Sequence, residues 1–358
     1  GNGDMIDVGQ RGDDTFAIKG TTVMYDVNKV FKVGGARSYN SGNPGKNNSY
    51  RIDISGTSPV VTKTANMAFE RTMHNSTVLP NGQILITGGI DHAETFSDFG
   101  SVLGPELYDP ATNTWTTLVD MVTPRTYHSV AILLTDGRVF VGGLCDQTPG
   151  CGNHPDAEIF SPPYLFDNNN NLADRPVITS APDVVEDYGS TITVLTDTNV
   201  TDFSLIRFSA ATHSTNNEQR RIPVSTTGGT SHSLTIPQRE LLPPGYYMLF
   251  AMDGNGVPSV AKTIKIGTSV PLANNPNLVL ELGFDETSGA IAGDTSGNNN
   301  NATIFDSANN GADLTPNGTY WTADGLFGGA IEFDGGEFNS NSIVDIPTST
   351  SMLSINNT

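Results

Sequence analysis

The residues best suited to chemistry are a phenol and an imidazole side by side, Tyr127 and His128, and a second imidazole, His213, in a separate segment. Imidazole nitrogens suit Cu(II), and a tetragonal arrangement with a weak axial oxygen is a common copper geometry. Taken alone, the first two could be an ordinary strand dipeptide, and His213 could lie on a surface loop. Together they predict a copper site, provided that the fold brings the two segments together.

A repeat in the first 175 residues is the element that must position Tyr127 and His128. A strand, a tight turn, a second strand and a glycine pair recur at a spacing of roughly fifty residues, which is typical of kelch-type propeller blades. The turns and glycine pairs are Asn81-Gly82 with Gly88-Gly89, Asp136-Gly137 with Gly142-Gly143, and a degenerate first copy that ends at Gly34-Gly35. Because propellers close with four to eight blades, residues 1–175 are predicted to be the C-terminal blades of a partial propeller.

The local geometry of such a strand sets a condition on the two neighbouring ligands. Adjacent residues of a regular strand point to opposite faces of the sheet. Tyr127 and His128 can therefore share one metal only where the chain enters the strand irregularly. Pro124, just upstream, fits an irregular start of this kind.

The rest of the chain predicts two further β units, so the fold class is all-β. Short strands without the glycine mark over residues 176–268 favour an Ig-like β-sandwich of the early-set type, followed by a linker at 269–277. Residues 278–358 resemble the start of a laminin-G-like, concanavalin A-like jelly roll, a truncated unit. Such domains often bind sugars, sometimes through calcium, and Asp294 could be a calcium ligand or a turn-forming aspartate.

Composition narrows the partners and the compartment. The chain has 38 Asp and Glu against 18 Lys and Arg, a formal net charge of -20, and no basic run, so nucleic acid is a poor partner and membrane insertion is not expected. Abundant turn residues point to a secreted, extracellular protein. Cys145 and Cys151, the two cysteines, either form a local disulfide across Pro149-Gly150, which implies an oxidising compartment, or remain free thiols.

Several motifs between residues 10 and 267 resemble the galactose oxidase and glyoxal oxidase group of copper radical oxidases. The motifs are Tyr127-His128-Ser129, Ala211-Thr212-His213, Gln219-Arg220-Arg221-Ile222-Pro223, the segment from Pro244 to Phe250, and Gly256-Val257-Pro258-Ser259-Val260-Ala261. The resemblance implies that one copper ion is held by Tyr127, His128 and His213, with Tyr127 as the axial ligand and catalytic base. It also implies a radical tyrosine crosslinked to a cysteine, which has no counterpart here and is expected upstream.

The same resemblance places three residues near the substrate. Tyr39 and Asn40 stand where the family has a Tyr-Gln pair, so Asn40 is a departure, and Phe96 matches an aromatic residue that packs against the sugar. The predicted function is therefore a fragment of a secreted enzyme that oxidises a primary alcohol of a sugar or small alcohol to an aldehyde while O₂ becomes H₂O₂. The fragment itself is expected to be inactive. The alternative is a non-catalytic protein for carbohydrate binding, for instance to a polysaccharide, or for surface adhesion, built on the same scaffold.

Overall fold

A computed structural model describes residues 7–143, 152, 154–267, 291–293, 301–305, 319–325, 328–333 and 343–345. Within these ranges the chain forms twenty-six strands and a single 3₁₀ turn at Pro163–Leu165, which confirms the all-β prediction. None of the described residues belongs to a helix long and apolar enough to cross a membrane. The chain divides into two compact units, Gly1–Gly267 and Thr268–Thr358.

Three successive antiparallel sheets open the first unit, and each pairs its strands in chain order. Sheet 1 consists of β1 (Thr21–Asp26), β2 (Lys29–Val33), β3 (Ser49–Asp53) and β4 (Val60–Lys63). Sheet 2 consists of β5 (Asn75–Val78), β6 (Ile84–Thr87), β7 (Glu106–Asp109) and β8 (Thr114–Thr117). Sheet 3 consists of β9 (Val130–Leu133), β10 (Val139–Gly142) and β11 (Ala157–Phe160). The first copy, which the sequence marks as degenerate, is thus a complete four-stranded sheet of the kind that propellers use as blades.

The turn of sheet 1 explains why its sequence looks degenerate. Gly82 and Gly137 adopt left-handed backbone angles in the hairpins of sheets 2 and 3, with φ of 88° and 81°. In sheet 1 the corresponding hairpin has Asn28 in the same region, at φ 57°. Asparagine tolerates this conformation better than most residues, so the hairpin forms without the Asn-Gly or Asp-Gly signature.

The second part of this unit is a two-sheet sandwich. One sheet has the order β12-β14-β19 and the other the order β13-β21-β20-β15-β18. The strands are β12 (Ile178–Ser180), β13 (Val184–Val185), β14 (Thr191–Thr196), β15 (Asp202–Arg207), β18 (Arg221–Ser225), β19 (Ser231–Thr235), β20 (Gly245–Met252) and β21 (Lys262–Ile266). A small hairpin of β16 (Ala211–Thr212) and β17 (Thr215–Asn216) projects between β15 and β18 in the chain.

Alternation along β20 ties the sandwich to the sheets. Met248 and Phe250 belong to the apolar cluster that also holds the cores of sheets 1 to 3, whereas Tyr247 and Leu249 belong to the sandwich core. Because successive side chains point to opposite faces, this strand is covered on both sides. We call the contact between the sandwich and sheets 1 to 3 the seam. It includes polar contacts, since Gln219 Nε2 donates to the Ser76 carbonyl at 2.6 Å and Val78 N–H donates to Gln219 Oε1 at 3.1 Å.

The second unit is described only in part. It has one sheet of order β22-β23-β26 and one pair β24-β25. The strands are β22 (Ile291–Ala292), β23 (Ala302–Phe305), β24 (Thr319–Gly325), β25 (Gly328–Phe333) and β26 (Ile343–Asp345). Asp294, Cys145 and Cys151 lie outside the described residues, so the calcium ligand, the disulfide and the jelly-roll assignment stay predictions.

Candidate metal centre

The chain enters the first strand of each of the three sheets through a residue in the left-handed conformation. These residues are Lys19, Met73 and His128, with φ of 56°, 56° and 70°. Each stands two residues before its strand begins, at Thr21, Asn75 and Val130. We call the stretches 18–20, 71–74 and 125–129 the lead-in segments of sheets 1, 2 and 3. The three residues therefore occupy equivalent positions at one end of neighbouring sheets.

The lead-in segment of sheet 3 has one residue more than that of sheet 2. A single residue separates Arg71 from left-handed Met73, but two residues separate Arg125 from left-handed His128. The additional residue is Tyr127. Its ring lies against the ring of His128, with centroids 3.9 Å apart and planes inclined by 30°. This irregular start lets neighbouring residues share one side, which the strand geometry alone would forbid.

Buried arginines hold the lead-in segments of sheets 2 and 3, and the sequence reasoning did not identify them. The Arg71 side chain is fully buried and bonds the Gly88 and Gly104 carbonyls, both at 2.9 Å, and Glu106 at 2.6 Å. Its own carbonyl accepts the Gly35 N–H at 2.9 Å. Arg125 repeats the pattern, since it is 1% exposed and its carbonyl accepts the Gly89 N–H at 2.8 Å. An Arg-Thr dipeptide that precedes the first strands of both sheet 2 and sheet 3 was the available signal.

His213 reaches the same place on the tip of the small hairpin. His213 and Ser214 are the two central residues between β16 and β17, and both have positive φ, 51° and 61°. Two left-handed residues define a type I′ turn, which normally selects Asn-Gly, so this turn is strained. Strain of this kind persists only where the surroundings fix the backbone.

Ser214 supplies that fixation. It is 4% exposed, and its N–H donates to the Ser129 carbonyl at 2.9 Å. Its hydroxyl donates to the Met73 carbonyl at 2.9 Å and approaches the Thr126 carbonyl at 3.3 Å. The turn is thus anchored on the lead-in segments of sheets 2 and 3. Sequence reasoning missed this residue, although it directly follows the predicted ligand.

The three predicted ligands therefore converge. The His128 and His213 ring centroids are 4.4 Å apart with planes at 89°, and the Tyr127 and His213 centroids are 5.7 Å apart. His213 Nδ1 hydrogen bonds with the Thr212 hydroxyl at 2.6 Å, which orients the ring and leaves Nε2 for another ligand.

Two perpendicular imidazoles beside a phenol fit a copper ion, whose bonds to ring nitrogens are about 2 Å long in related metal sites. The described residues contain no group of three or more His, Cys, Asp and Glu able to hold a metal, and this cluster has only two such residues beside its tyrosine. Metal binding by the three residues stays a prediction.

The predicted substrate residues surround Tyr127. Phe96 stands edge-on to the Tyr127 ring at 5.0 Å and to the His128 ring at 5.6 Å. Tyr39 stands edge-on to Tyr127 at 5.9 Å. Burial and a hydrogen bond with Tyr127 raise the pKa of Tyr39 to about 12, so its hydroxyl stays protonated at neutral pH. Asn40 Oδ1 accepts the Thr95 N–H at 3.3 Å, so this side chain joins the two loops that carry Tyr39 and Phe96.

Two histidines outside the centre have other surroundings. His74 is fully buried, and its Nε2 hydrogen bonds with Thr21 Oγ1 at 3.0 Å. Burial, with the positive charges of Arg71 and Lys32, lowers the pKa of His74 well below its usual value. His92 lies between the carboxylates of Asp91 and Glu94, which raise its pKa. Neither ring forms part of the Tyr127, His128 and His213 cluster.

Comparison with known proteins identifies the scaffold. Residues 27–164 match the family model described as glyoxal oxidase N-terminus, and residues 175–266 match galactose oxidase-like, early set domain. A galactose oxidase of Gibberella zeae is 41% identical over 280 residues, which cover 74% of this chain and 41% of the relative. An aldehyde oxidase of Arabidopsis thaliana is 34% identical over 241 residues, covering 60% of this chain and 39% of the relative.

A solved structure gives the same result. A fungal alcohol oxidase of the AA5 family, in complex with copper, superposes with a TM-score of 0.68 at 38% identity and covers 73% of this chain and 56% of that one. The chain spans about two fifths of the length of the galactose oxidases that it matches. The chain thus carries a glyoxal oxidase N-terminus domain and a galactose oxidase-like early set domain in succession, and it is homologous to galactose oxidases and glyoxal oxidases.

Proposed function

We propose that the chain is part of a secreted copper radical oxidase that converts a primary alcohol of a sugar or small alcohol to an aldehyde. The balanced reaction turns the alcohol and O₂ into the aldehyde and H₂O₂. The observation that carries the proposal is the convergence of Tyr127, His128 and His213, whose rings come from two separate parts of the chain. The copper-bound alcohol oxidase with the same scaffold supports it.

The residues of this chain would divide the work as follows. His128 and His213 hold the metal, and the Thr212 hydroxyl at 2.6 Å fixes the orientation of the His213 ring. Tyr127 accepts the proton of the substrate hydroxyl, a general-base step that needs a positioned oxygen within hydrogen-bonding reach. The Phe96 and Tyr39 rings orient the carbon end of the substrate against their faces. When bound, copper supplies Lewis acidity and one-electron chemistry.

We place the partner of copper in radical chemistry, a tyrosine crosslinked to a cysteine, upstream of this segment, as a part of the proposal. The two cysteines of the chain, Cys145 and Cys151, belong to one late loop, where they are expected to form a disulfide with each other. These residues alone are then expected to bind copper weakly at best and to leave alcohols unoxidised.

A comparison of single variants in the intact protein tests the proposal. His128→Ala and His213→Ala should each abolish stoichiometric copper binding, measured by metal analysis and Cu(II) electron paramagnetic resonance, together with peroxide release from primary alcohols. His92→Ala is the matched control, because that ring pairs with the carboxylates of Asp91 and Glu94 outside the cluster, and its loss should leave both signals unchanged. Copper binding that survives in both ligand variants, or a fully copper-loaded protein that oxidises no alcohol in a broad panel, would defeat the proposal.

A further inference from the structure

Lys19 is a cation at the candidate metal centre that neither the proposed mechanism nor any sequence motif uses. Its Nζ lies 5.4 Å from the centroid of the Tyr39 ring and 5.4 Å from that of the Tyr127 ring. It occupies the position in sheet 1 that His128 occupies in sheet 3, two residues before the first strand and in the left-handed conformation. The ammonium group therefore lies close to the predicted metal ligand Tyr127 and to Tyr39, its neighbour.

The backbone of Lys19 is fixed, which separates it from an ordinary surface lysine. Its carbonyl accepts the Met73 N–H at 2.9 Å and lies 3.4 Å from the Thr72 hydroxyl, so it is bonded to the lead-in segment of sheet 2. The Ile18 N–H and carbonyl pair with Ala36, at 2.9 Å in each direction. The residue is half-buried. Its side chain starts from a fixed point close to Tyr39 and Tyr127.

Charge balance around Lys19 points to an anionic ligand. The chain carries a net charge of -20, yet within the described residues no carboxylate lies within 4.0 Å of Lys19 Nζ. The acidic residues of the loop that carries Phe96 have partners of their own, since Asp91 and Glu94 pair with His92 and Asp98 pairs with His154. An ammonium group held over aromatic faces keeps its three N–H donors for oxygen acceptors.

We propose that Lys19 is a specificity-determining residue that binds a carboxylate on the substrate, so that the centre favours small hydroxy acids with a primary alcohol over neutral alcohols. This inference rests on the proposed function for the reaction, but the binding step is independent of copper. The carboxylate accepts a hydrogen bond from Lys19 Nζ while the primary hydroxyl points to Tyr127. The Tyr39 and Phe96 rings pack against the carbon chain between the two groups.

Glycerate and glycerol form a matched pair of probes, since both have a primary alcohol and only one has a carboxylate. In the intact copper-loaded protein, Lys19→Met should lower kcat/KM for glycerate by about 10- to 100-fold relative to glycerol, the range of one charge-assisted hydrogen bond. Lys19→Arg should keep most of the preference. Lys265→Met is the matched control, because Lys265 Nζ lies 5.7 Å from the Tyr246 ring in the sandwich and has the same charge.

A second measurement keeps the inference separate from the oxidase proposal. Glycerate is titrated into the metal-free protein while the ring signals of His128 and His213 are followed by nuclear magnetic resonance. We expect saturable shifts with wild type and Lys265→Met, and a Kd raised about tenfold or more by Lys19→Met. Equal Kd values in wild type and Lys19→Met, or no shifts at all, would overturn the assignment of Lys19. Glycerate binding that depends on Lys19, without peroxide from any alcohol, would instead overturn the oxidase.

Discussion

A pair of glycine substitutions tests whether the close approach of sheets 2 and 3 sets the position of the candidate metal centre. Gly88 has φ +64°, and a Cβ atom there would lie 2.1 Å from the Arg125 carbonyl oxygen. Gly42 has nearly the same backbone angle, φ +67°, but a Cβ atom there would meet nothing within 4 Å. Gly88→Ala and Gly42→Ala therefore share the conformational penalty and differ in the steric contact.

The expected energies follow from these two contributions. A left-handed alanine costs about 1–2 kcal/mol at either position. A carbonyl oxygen at 2.1 Å must move, and overpacking of a rigid interior adds about 1–3 kcal/mol or more. Gly88→Ala should thus be about 1–3 kcal/mol less stable than Gly42→Ala, which lowers its melting temperature by about 2–12 °C relative to that variant. Arg125 stands two residues before Tyr127, so the displaced carbonyl also moves a predicted ligand.

The assay combines thermal unfolding with copper titration of both variants. We expect Gly42→Ala to bind copper as the wild type does and Gly88→Ala to bind it about tenfold more weakly, which corresponds to about 1.4 kcal/mol. Equal melting temperatures for the two variants would refute the steric argument. A strongly destabilised Gly88→Ala with wild-type copper affinity would refute the link between this contact and the metal centre.

Two further predictions concern single residues. Ser214→Ala should weaken copper binding about fivefold in a chelator competition, because the hydroxyl anchors the strained His213 turn on the Met73 carbonyl through a hydrogen bond worth about 1 kcal/mol. Unchanged affinity would show that the backbone hydrogen bond to Ser129 suffices. Burial lowers the pKa of His74 in the folded protein. As pH falls below about 6.5, His74 becomes protonated in the unfolded chain but stays neutral in the folded protein, so the stability that is present above that pH is lost. His74→Gln should remove up to about 1.4 kcal/mol per pH unit of this loss in unfolding measured between pH 7 and pH 5, whereas parallel curves for wild type and variant would contradict it.

Strand patterns and glycine pairs predicted the all-β fold, because the alternation of apolar and polar residues and the need for glycine at close backbone contacts are visible in short stretches of sequence. The Tyr-His dipeptide and the condition of an irregular strand start also followed from residue types and strand geometry. How the chain meets that condition became clear only from the structure. The extra residue between Arg125 and His128 is recognised only when the lead-in segments of sheets 2 and 3 are compared in space.

The approach of His213 could not be derived from local signals. Its type I′ turn has histidine and serine at positions that usually need Asn-Gly, so turn chemistry gives no warning of it. The strain is stabilised by tertiary hydrogen bonds from Ser214 to residues about 85 and 140 positions away in the chain. Lys19 could not be predicted either, because a single lysine forms no motif. Its position becomes informative only when sheets 1 and 3 are compared and Lys19 is found at the place that His128 occupies.

The origin of the candidate ligands in two differently built parts has a thermodynamic consequence. His213 is carried by the sandwich, whereas Tyr127 and His128 precede sheet 3. An ion held by all three binds only the assembled arrangement, so its binding free energy adds to the cohesion of the seam. The relation is reciprocal, and a substitution that loosens Gln219 or its partners would raise the metal concentration needed to fill the centre. Copper would then stabilise the contact between the sandwich and the sheets, and the free energy of that contact would increase with the copper concentration.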